Sequence, residues 1–427
     1  MILRDPVHGL VAFESEEDAI VVRLLQTGEV QRLRRIRQLG LTSFAFPGAE
    51  HTRFAHAIGA AHVMKLFLDR LRQVDGDLPF WQRVTSERAR DAIAAAFLHD
   101  LGHGPLSHLF EDAMPGAVRH ETWTTRMLLD PGSDVHRVLV ADDPYLPQRV
   151  ADLIHGKHPL PYLAKAVSGT FDVDRCDYLL RDAHATGVRY GEYDLPWLLR
   201  SLRFDDAPQP GLAIDGTKGL APIEAFILAR TFMFQQVYFH KSTRAAEWMI
   251  GVILRRALAL VADGARLPAL PPALATAAAG DAPSLGEYLE LDDQVLLVAI
   301  HEWESAGDPI LADLCKRLRA RALFKTIELF HERGGGYAIP PEEALAKARE
   351  IAAAAGLDPQ VYVGIDVAED TPYAEDASLK VVFPKGRARP PSEVSFLLDR
   401  LRNETVTRVR VIFAPELREA MREALIR

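Results

Sequence analysis

The sequence predicts a mainly α-helical fold with small β hairpins, followed by a small C-terminal α/β module. Three observations predict it. Apolar residues recur at three- and four-residue spacing through most of the first 320 positions, the period of a helix with one buried face. Strand-like patterns are scarce in that stretch and sit beside turn residues. Beyond it, Val361–Val367, Leu379–Phe383 and Val406–Phe413 read as short strands, and Glu342–Ala355 and Ser392–Asn403 as helices.

Residues 1–15 read as an extended hairpin, with turn signals at Asp5-Pro6 and His8-Gly9 and apolar Leu10, Val11 and Phe13. Glu17–Leu39 turns helical through Ile20, Leu24, Leu25, Leu33, Ile36 and Leu39, and Pro47-Gly48 marks a loop. Ala57–Leu71 is an amphipathic helix. Thr85–His99 is another, with Ser86 as the expected N-cap and Gly102 and Gly104 breaking the pattern beyond it. Helices are expected at His120–Leu129, Gln148–His155, Val173–Ala185 and Ile223–Leu260, and a hairpin near Leu202–Ile214 around Pro208, Pro210 and Gly211. Leu267–Pro283, rich in Pro and Ala, reads as a linker or surface excursion before helices at Leu285–Ala306 and Pro309–Ala322. Gly334-Gly335-Gly336 precedes the last module. The expected division is a helical core over 1–265, a helical extension over 266–325 and the α/β module over 326–427.

The 427 residues are 48% hydrophobic and 26% charged, a balance that supports a large core. A net charge of −9 argues against broad nucleic-acid binding, which needs clustered positive charge, but leaves room for a local basic pocket. Two cysteines make neither a disulfide framework nor a thiolate zinc site, and fit a reducing compartment. Arg4 and Asp5 interrupt any signal-peptide core, and no apolar run is long enough to span a bilayer, so a cytoplasmic chain with no membrane partner is expected.

Of 15 histidines, seven (His51, His56, His62, His99, His103, His108 and His120) lie between residues 51 and 120. An even scatter would place about two or three there. The sharpest piece is His99-Asp100-Leu-Gly-His103-Gly, an adjacent nitrogen and oxygen donor at a helix end. A bare His-Asp pair is more often an ordinary helix C-terminus. Here further donors accompany it: His56 before one helix, and Asp174 within Phe171-Asp-Val-Asp174-Arg-Cys-Asp-Tyr178-Leu-Leu-Arg181-Asp182. Asp174, Tyr178 and Asp182 share one helical face at i, i+4 and i+8. Two imidazoles and two carboxylates suit manganese, magnesium, iron or zinc, and the donor list alone does not choose among them.

In order, His56, His99-Asp100 and Asp174 resemble the H…HD…D pattern of the HD-domain phosphohydrolase superfamily. The opening Asp5-Pro-Val-His-Gly9, the runs Gln31–Gly40 and Phe46–His56, His99–His108 and Asp174–Tyr178 resemble its deoxynucleoside triphosphate triphosphohydrolase (dGTPase-like) branch over roughly residues 1–250. The resemblance implies an HD-domain helical core in which His56, His99, Asp100 and Asp174 hold a divalent metal. It implies that His103, His108 and His120 surround the phosphates, with His108 serving the leaving group and Glu111 orienting His120. Arg53, Arg175 and Arg230 would meet phosphate; Gln38 and Asp182 would read the sugar 3′-hydroxyl; Tyr178 and Tyr238 would pack on the sugar. From its residues alone, Tyr238 reads equally well as a core aromatic on an apolar helix. Arg175 stands where that branch usually has lysine, and its fork demands different geometry. Gln31, Arg34 and His240 match parts of a regulatory nucleotide pocket, while Gln26 and Phe239 depart from the vertebrate members. The implied reaction is hydrolysis of a deoxynucleoside triphosphate (dNTP) to deoxynucleoside and inorganic triphosphate by a nucleotide-activated homo-oligomer, a dimer or tetramer.

Two other readings stay open. One is an HD-type phosphodiesterase or nuclease acting on other nucleotides or single-stranded nucleic acid, served by Arg32, Arg34, Arg35 and Arg37. The other is a non-catalytic nucleotide-binding oligomer, against which the intact donor set argues.

Overall fold

A computed structural model of the chain describes residues 1–76, 78–107, 110–111, 118–205, 207–330, 337–375, 379–385 and 387–426. The fold is mainly helical, with three small sheets among the described residues. Strands β1 (Ile2–Asp5) and β2 (Gly9–Ala12) form the opening antiparallel hairpin. The site is built on three packed helices: Arg53–Val74 lies against both Ser86–Leu98 and Val173–Thr186. Each starts and stops for local reasons. Asp172 caps the last by accepting from Arg175 N at 2.8 Å, and Gly187 (φ 75°) ends it in the left-handed region. Thr85, not Ser86, caps Ser86–Leu98, accepting from Arg88 N at 3.3 Å; Ser86 is the first helical residue.

Other boundaries moved because the breaks are local hydrogen-bonding choices that periodicity does not report. Glu17–Leu39 is two short helices, Ala19–Leu24 and Gly28–Arg32, and a 3₁₀ turn. Thr27 stands extended between the helices and donates its hydroxyl to Leu24 O at 2.7 Å. Ile223–Leu260 divides into Leu220–Met233 and Lys241–Ala262. The two are joined by a wide π-type turn over Phe234–Tyr238, in which Phe239 N donates five residues back to Phe234 O at 2.9 Å. Such turns recur at functional sites. Leu267–Pro283 is no mere linker: Pro272–Ala278 is a helix that buries Ala273 and Leu274.

Strands β3 (Leu202–Phe204) and β4 (Leu212–Asp215) form the expected second hairpin, and β7 (Lys380–Val382), far along the chain, joins β4 in parallel. Strands β5 (Lys325–Leu329), β8 (Val406–Phe413) and β6 (Val363–Asp370) form an antiparallel sheet with β8 central. The Pro341–Ala354 helix covers it. Strand β5 was missed because Lys325 and Glu328 interrupt its short apolar pattern. Buried apolar side chains form one contiguous cluster from Val11 to Leu425. The Gly334–Gly336 stretch lies outside the described residues. No described helix is long and apolar enough to cross a membrane.

His62 links this packing to pH. Burial, then the neighbouring His8 and Lys65, push its imidazole down to about 4, and its Nδ1 is buried without a hydrogen-bond partner. The unfolded chain takes up that proton near pH 6.5, so stability is intact above 6.5 and falls as pH drops from 6.5 toward 4. After allowance for solvent screening of a half-buried ring, the loss is about 1–2 kcal/mol. His62→Gln is expected to flatten that part of the urea-midpoint-versus-pH curve relative to the unsubstituted chain; parallel curves would remove His62 as the cause.

Candidate metal centre and adjoining cleft

The four predicted metal donors converge. His56 Nε2 lies 3.4 Å from His99 Nε2 and 3.1 Å from Asp174 Oδ1. His99 Nε2 lies 3.4 Å from both Asp174 Oδ1 and Asp100 Oδ1, and Asp100 Oδ2 lies 3.7 Å from His56 Nε2. Both imidazoles are held so that Nε2 faces inward. His56 donates Nδ1–H to Asp177 Oδ2 at 2.8 Å, and His99 donates Nδ1–H to Ala96 O at 2.8 Å. A carboxylate or carbonyl can only accept, so in the neutral ring each Nε2 carries the lone pair. Outer partners of this kind fix metal-binding histidines. Burial opposes charge on these rings, yet Asp174 and Asp177 lift His56 to about 10, and Asp100 and Asp174 lift His99 to about 9. Asp100 and Asp174, the two carboxylates that face both Nε2 atoms, favour a divalent cation, and the N₂O₂ donor set fits one.

Asp177, which sequence reasoning passed over, is the hub behind the cluster. Besides His56 it accepts from His8 Nε2 at 2.6 Å and from Arg181 Nε and Nη2, both at 2.8 Å. Arg181 also reaches Asp5 Oδ2 at 2.8 Å, so the opening hairpin braces the centre. The available signal was its place three residues after Asp174 and four before Arg181, beside the Asp174–Tyr178–Asp182 stripe. The hub needs Gly59: a Cβ there would overlap the Asp177 carboxylate and the Arg181 guanidinium. Gly59→Ala is therefore expected to weaken divalent-metal affinity by about 10–100-fold through His56. Metal titration of the folded variant checks this; unchanged affinity would mean the hub tolerates displacement.

Asp100, His103 and His120 form a second buried group whose donor atoms lie within 4.8 Å of one another, so it too could hold a cation. His103 Nε2 lies 3.2 Å from Asp100 Oδ1, and its ring stacks on His120 at 3.7 Å. Burial and then Arg53 depress His103 well below the ordinary imidazole range, which keeps it neutral. Glu111 Oε1 accepts from His120 Nδ1 at 2.9 Å. His108 lies outside the described residues.

Arg53 pairs with Asp100 and donates to Ser107 Oγ at 2.8 and 3.1 Å. It opens onto a cleft of about 590 Å³ that is also lined by Gln38, Tyr178, Asp182 and Tyr238. Asp182 accepts from His51 Nε2 at 2.6 Å and from Tyr238 Oη at 2.9 Å. Burial, reinforced by Asp182, keeps the Tyr238 phenol protonated. Gln38 Oε1 is buried without a hydrogen-bond partner among the described residues. Phe239 and the far-chain residues Ile365, Asp366 and Val367 of β6 complete the cleft wall. Two predicted phosphate contacts sit elsewhere. Arg175 folds back on Asp172 and Gly169 O, and Arg230 lies 3.4 Å from Asp370 and over the Phe234 ring. Gln31 accepts from Arg34 Nε at 2.8 Å, and Arg34 covers Phe54 at 3.5 Å. His240 instead caps the Lys241–Ala262 helix beside Phe46, and among the described residues no hydrogen bond joins it to that pair.

A helical core holding inward-facing donors in H…HD…D order defines a class, the HD-domain phosphohydrolases, and comparison with known proteins agrees. No protein-family model matches the chain. It is 36% identical over 375 residues to the uncharacterized protein YwfO of Bacillus subtilis, covering 87% of this chain and 80% of that protein. It is 31% identical over 264 residues to the deoxynucleoside triphosphate triphosphohydrolase SAMHD1 homolog of Dictyostelium discoideum. That match takes in 58% of this chain but only 48% of the longer relative. A crystal structure of a phosphohydrolase from Bacteroides thetaiotaomicron superposes with a TM-score of 0.81 at 27% identity, covering 97% of this chain and 99% of that one. The chain belongs to the HD-domain phosphohydrolase superfamily, in the branch related to deoxynucleoside triphosphate triphosphohydrolases.

Proposed function

We propose that this phosphohydrolase converts dNTPs to deoxynucleosides and inorganic triphosphate. The observation that carries the reading is one cleft that joins Arg53, paired to Asp100, with Gln38, Tyr178, Asp182 and Tyr238. A divalent ion held by His56, His99, Asp100 and Asp174 would supply Lewis-acid polarisation of phosphoryl oxygens and a more acidic water. Arg53 meets charge growing on the α-phosphoryl group as water attacks phosphorus and the bond to O5′ breaks. His120, held by Glu111, and His108 serve to hand a proton to the departing O5′. The Asp182–Tyr238 pair faces the sugar, where the bulk of Tyr238 disfavours a 2′-hydroxyl. Arg175 and Arg230 reach phosphate only by leaving Asp172 and Asp370.

Tyr238→Ala is expected to raise the ribonucleotide-to-deoxyribonucleotide rate ratio about tenfold, since a close sugar contact discriminates by roughly 1–3 kcal/mol. An unchanged ratio would take Tyr238 out of sugar selection.

Nucleotide activation belongs to the same proposal. A second cavity, of about 550 Å³, starts at Lys241, next to His240. Its lining includes Lys241, Arg321, Lys325, Arg418 and Arg422 and, among the described residues, no carboxylate. In a chain of net charge −9 this local excess suits a polyphosphate effector. The deciding experiment is anion-exchange analysis of products from each dNTP, alone and mixed, with Mg²⁺ or Mn²⁺. Deoxynucleoside plus intact triphosphate is the expected result, and a requirement for mixtures would identify activation. No turnover in any combination would overturn the reading and direct attention to other nucleotides or single-stranded nucleic acid at the same centre.

A further inference from the structure

Segment 288–293, in the helical extension, grips the backbone of the His-Asp turn at successive points. Tyr288 Oη donates to Gly102 O at 2.7 Å. Leu291 O accepts from Arg32 Nε at 2.8 Å, and Arg32 Nη1 donates to His103 O at 2.9 Å. Asp293, only 3% exposed, accepts from Leu106 N at 2.8 Å through Oδ1 and from Arg37 N at 3.0 Å through Oδ2.

The two amides bound by Asp293 belong to adjoining walls of the cleft, which also meet where Ser107 Oγ donates to Arg37 O at 3.2 Å. Arg37 precedes Gln38, Leu39 and Gly40; Leu106 precedes Ser107, which holds Arg53. The second wall is strained. Leu106 (φ 56°) and Ser107 (φ 62°) are consecutive non-glycine residues in the left-handed region. Such residues cost free energy and persist only where surrounding contacts impose them. A buried carboxylate is costly, and this one is satisfied by two backbone donors, with no ion pair to it among the described residues. Its neighbour Asp292 does a different job. It caps the Asp293–Glu302 helix and pairs with Arg35 at 2.5 Å, touching neither wall.

We propose that Asp293 is a positioning residue: by bonding Arg37 N and Leu106 N at once, it fixes, together with the Ser107–Arg37 hydrogen bond, how the Gln38 wall of the cleft sits against the Ser107–Arg53 wall. The inference rests on the proposed use of that cleft for a dNTP. Asp293→Asn keeps the shape but turns an amide donor toward one of the two N–H groups. Hydrogen exchange at Arg37 and Leu106 is expected to rise about tenfold or more. Because small misplacements at a reacting centre cost up to about a hundredfold, dNTP kcat/KM should fall at least about tenfold. Bound metal should be unchanged, since no metal donor is touched. Asp292→Ala, which weakens the same helix start, should leave kcat/KM within about twofold. Unchanged exchange at the two amides would overturn the proposal. So would an Asp292→Ala variant that matches the kinetic loss of Asp293→Asn, or a loss that follows bound metal. If the unsubstituted chain turns over no dNTP, the functional reading fails, while the exchange measurement still decides whether Asp293 ties the walls together.

Discussion

Replacing His99 and Asp100 together with alanine is expected to abolish turnover and leave a folded chain. The two side chains supply half of the converging donor set, and Asp100 is also the anion paired with Arg53. Losing the metal's contribution removes several kcal/mol of transition-state stabilisation, about a thousandfold or more in rate. The fold should survive. His99 stands at the C-cap of its helix, and the apolar face of Ser86–Leu98 is untouched. Bound metal and product formation measured on the same sample check the prediction, with circular dichroism as the fold control. Activity equal to that of the unsubstituted chain after metal is reloaded would remove the pair from the centre.

Asp177→Asn is expected to have the largest effect on stability. The carboxylate accepts four hydrogen bonds from His8, His56 and Arg181 with no exposure to solvent. In either orientation an amide turns its NH₂ toward Arg181, which can only donate, and leaves the buried Arg181 with Asp5 as its remaining anion. Breaking a buried ion pair in this way costs about 3–5 kcal/mol. Freeing the His56 ring weakens metal binding by about 10–100-fold. Burial opposes the Asp177 charge, but Arg181 and the two histidines hold its carboxyl well below the usual carboxylate range. Its contribution is therefore present above the unfolded pKa of about 4 and is lost as pH falls through the lower folded value. Urea midpoints at neutral and acid pH, with and without metal, read both effects. An Asn variant with the original midpoint and metal affinity would show that the hub is dispensable.

Sequence by itself determined the class of the fold and singled out His56, His99, Asp100 and Asp174 as candidate metal donors. Periodicity of apolar residues is a local property, so the helices at His120–Leu129 and Val173–Thr186 and the strand Val406–Phe413 were legible within a residue. The donors were legible because His-Asp beside a histidine excess is chemistry written in adjacent residues. Tertiary structure alone decided what surrounds them. His8 meets Asp177 across 169 positions, and Leu106 meets Asp293 across 187. Neither contact leaves a periodic or spacing signal, because each exists only once separate elements have packed. Arg175 and Arg230 illustrate the converse. The resemblance implied phosphate contacts for them, but folding set Asp172 and Asp370 beside them, and a cation pairs with whatever anion packing brings within reach.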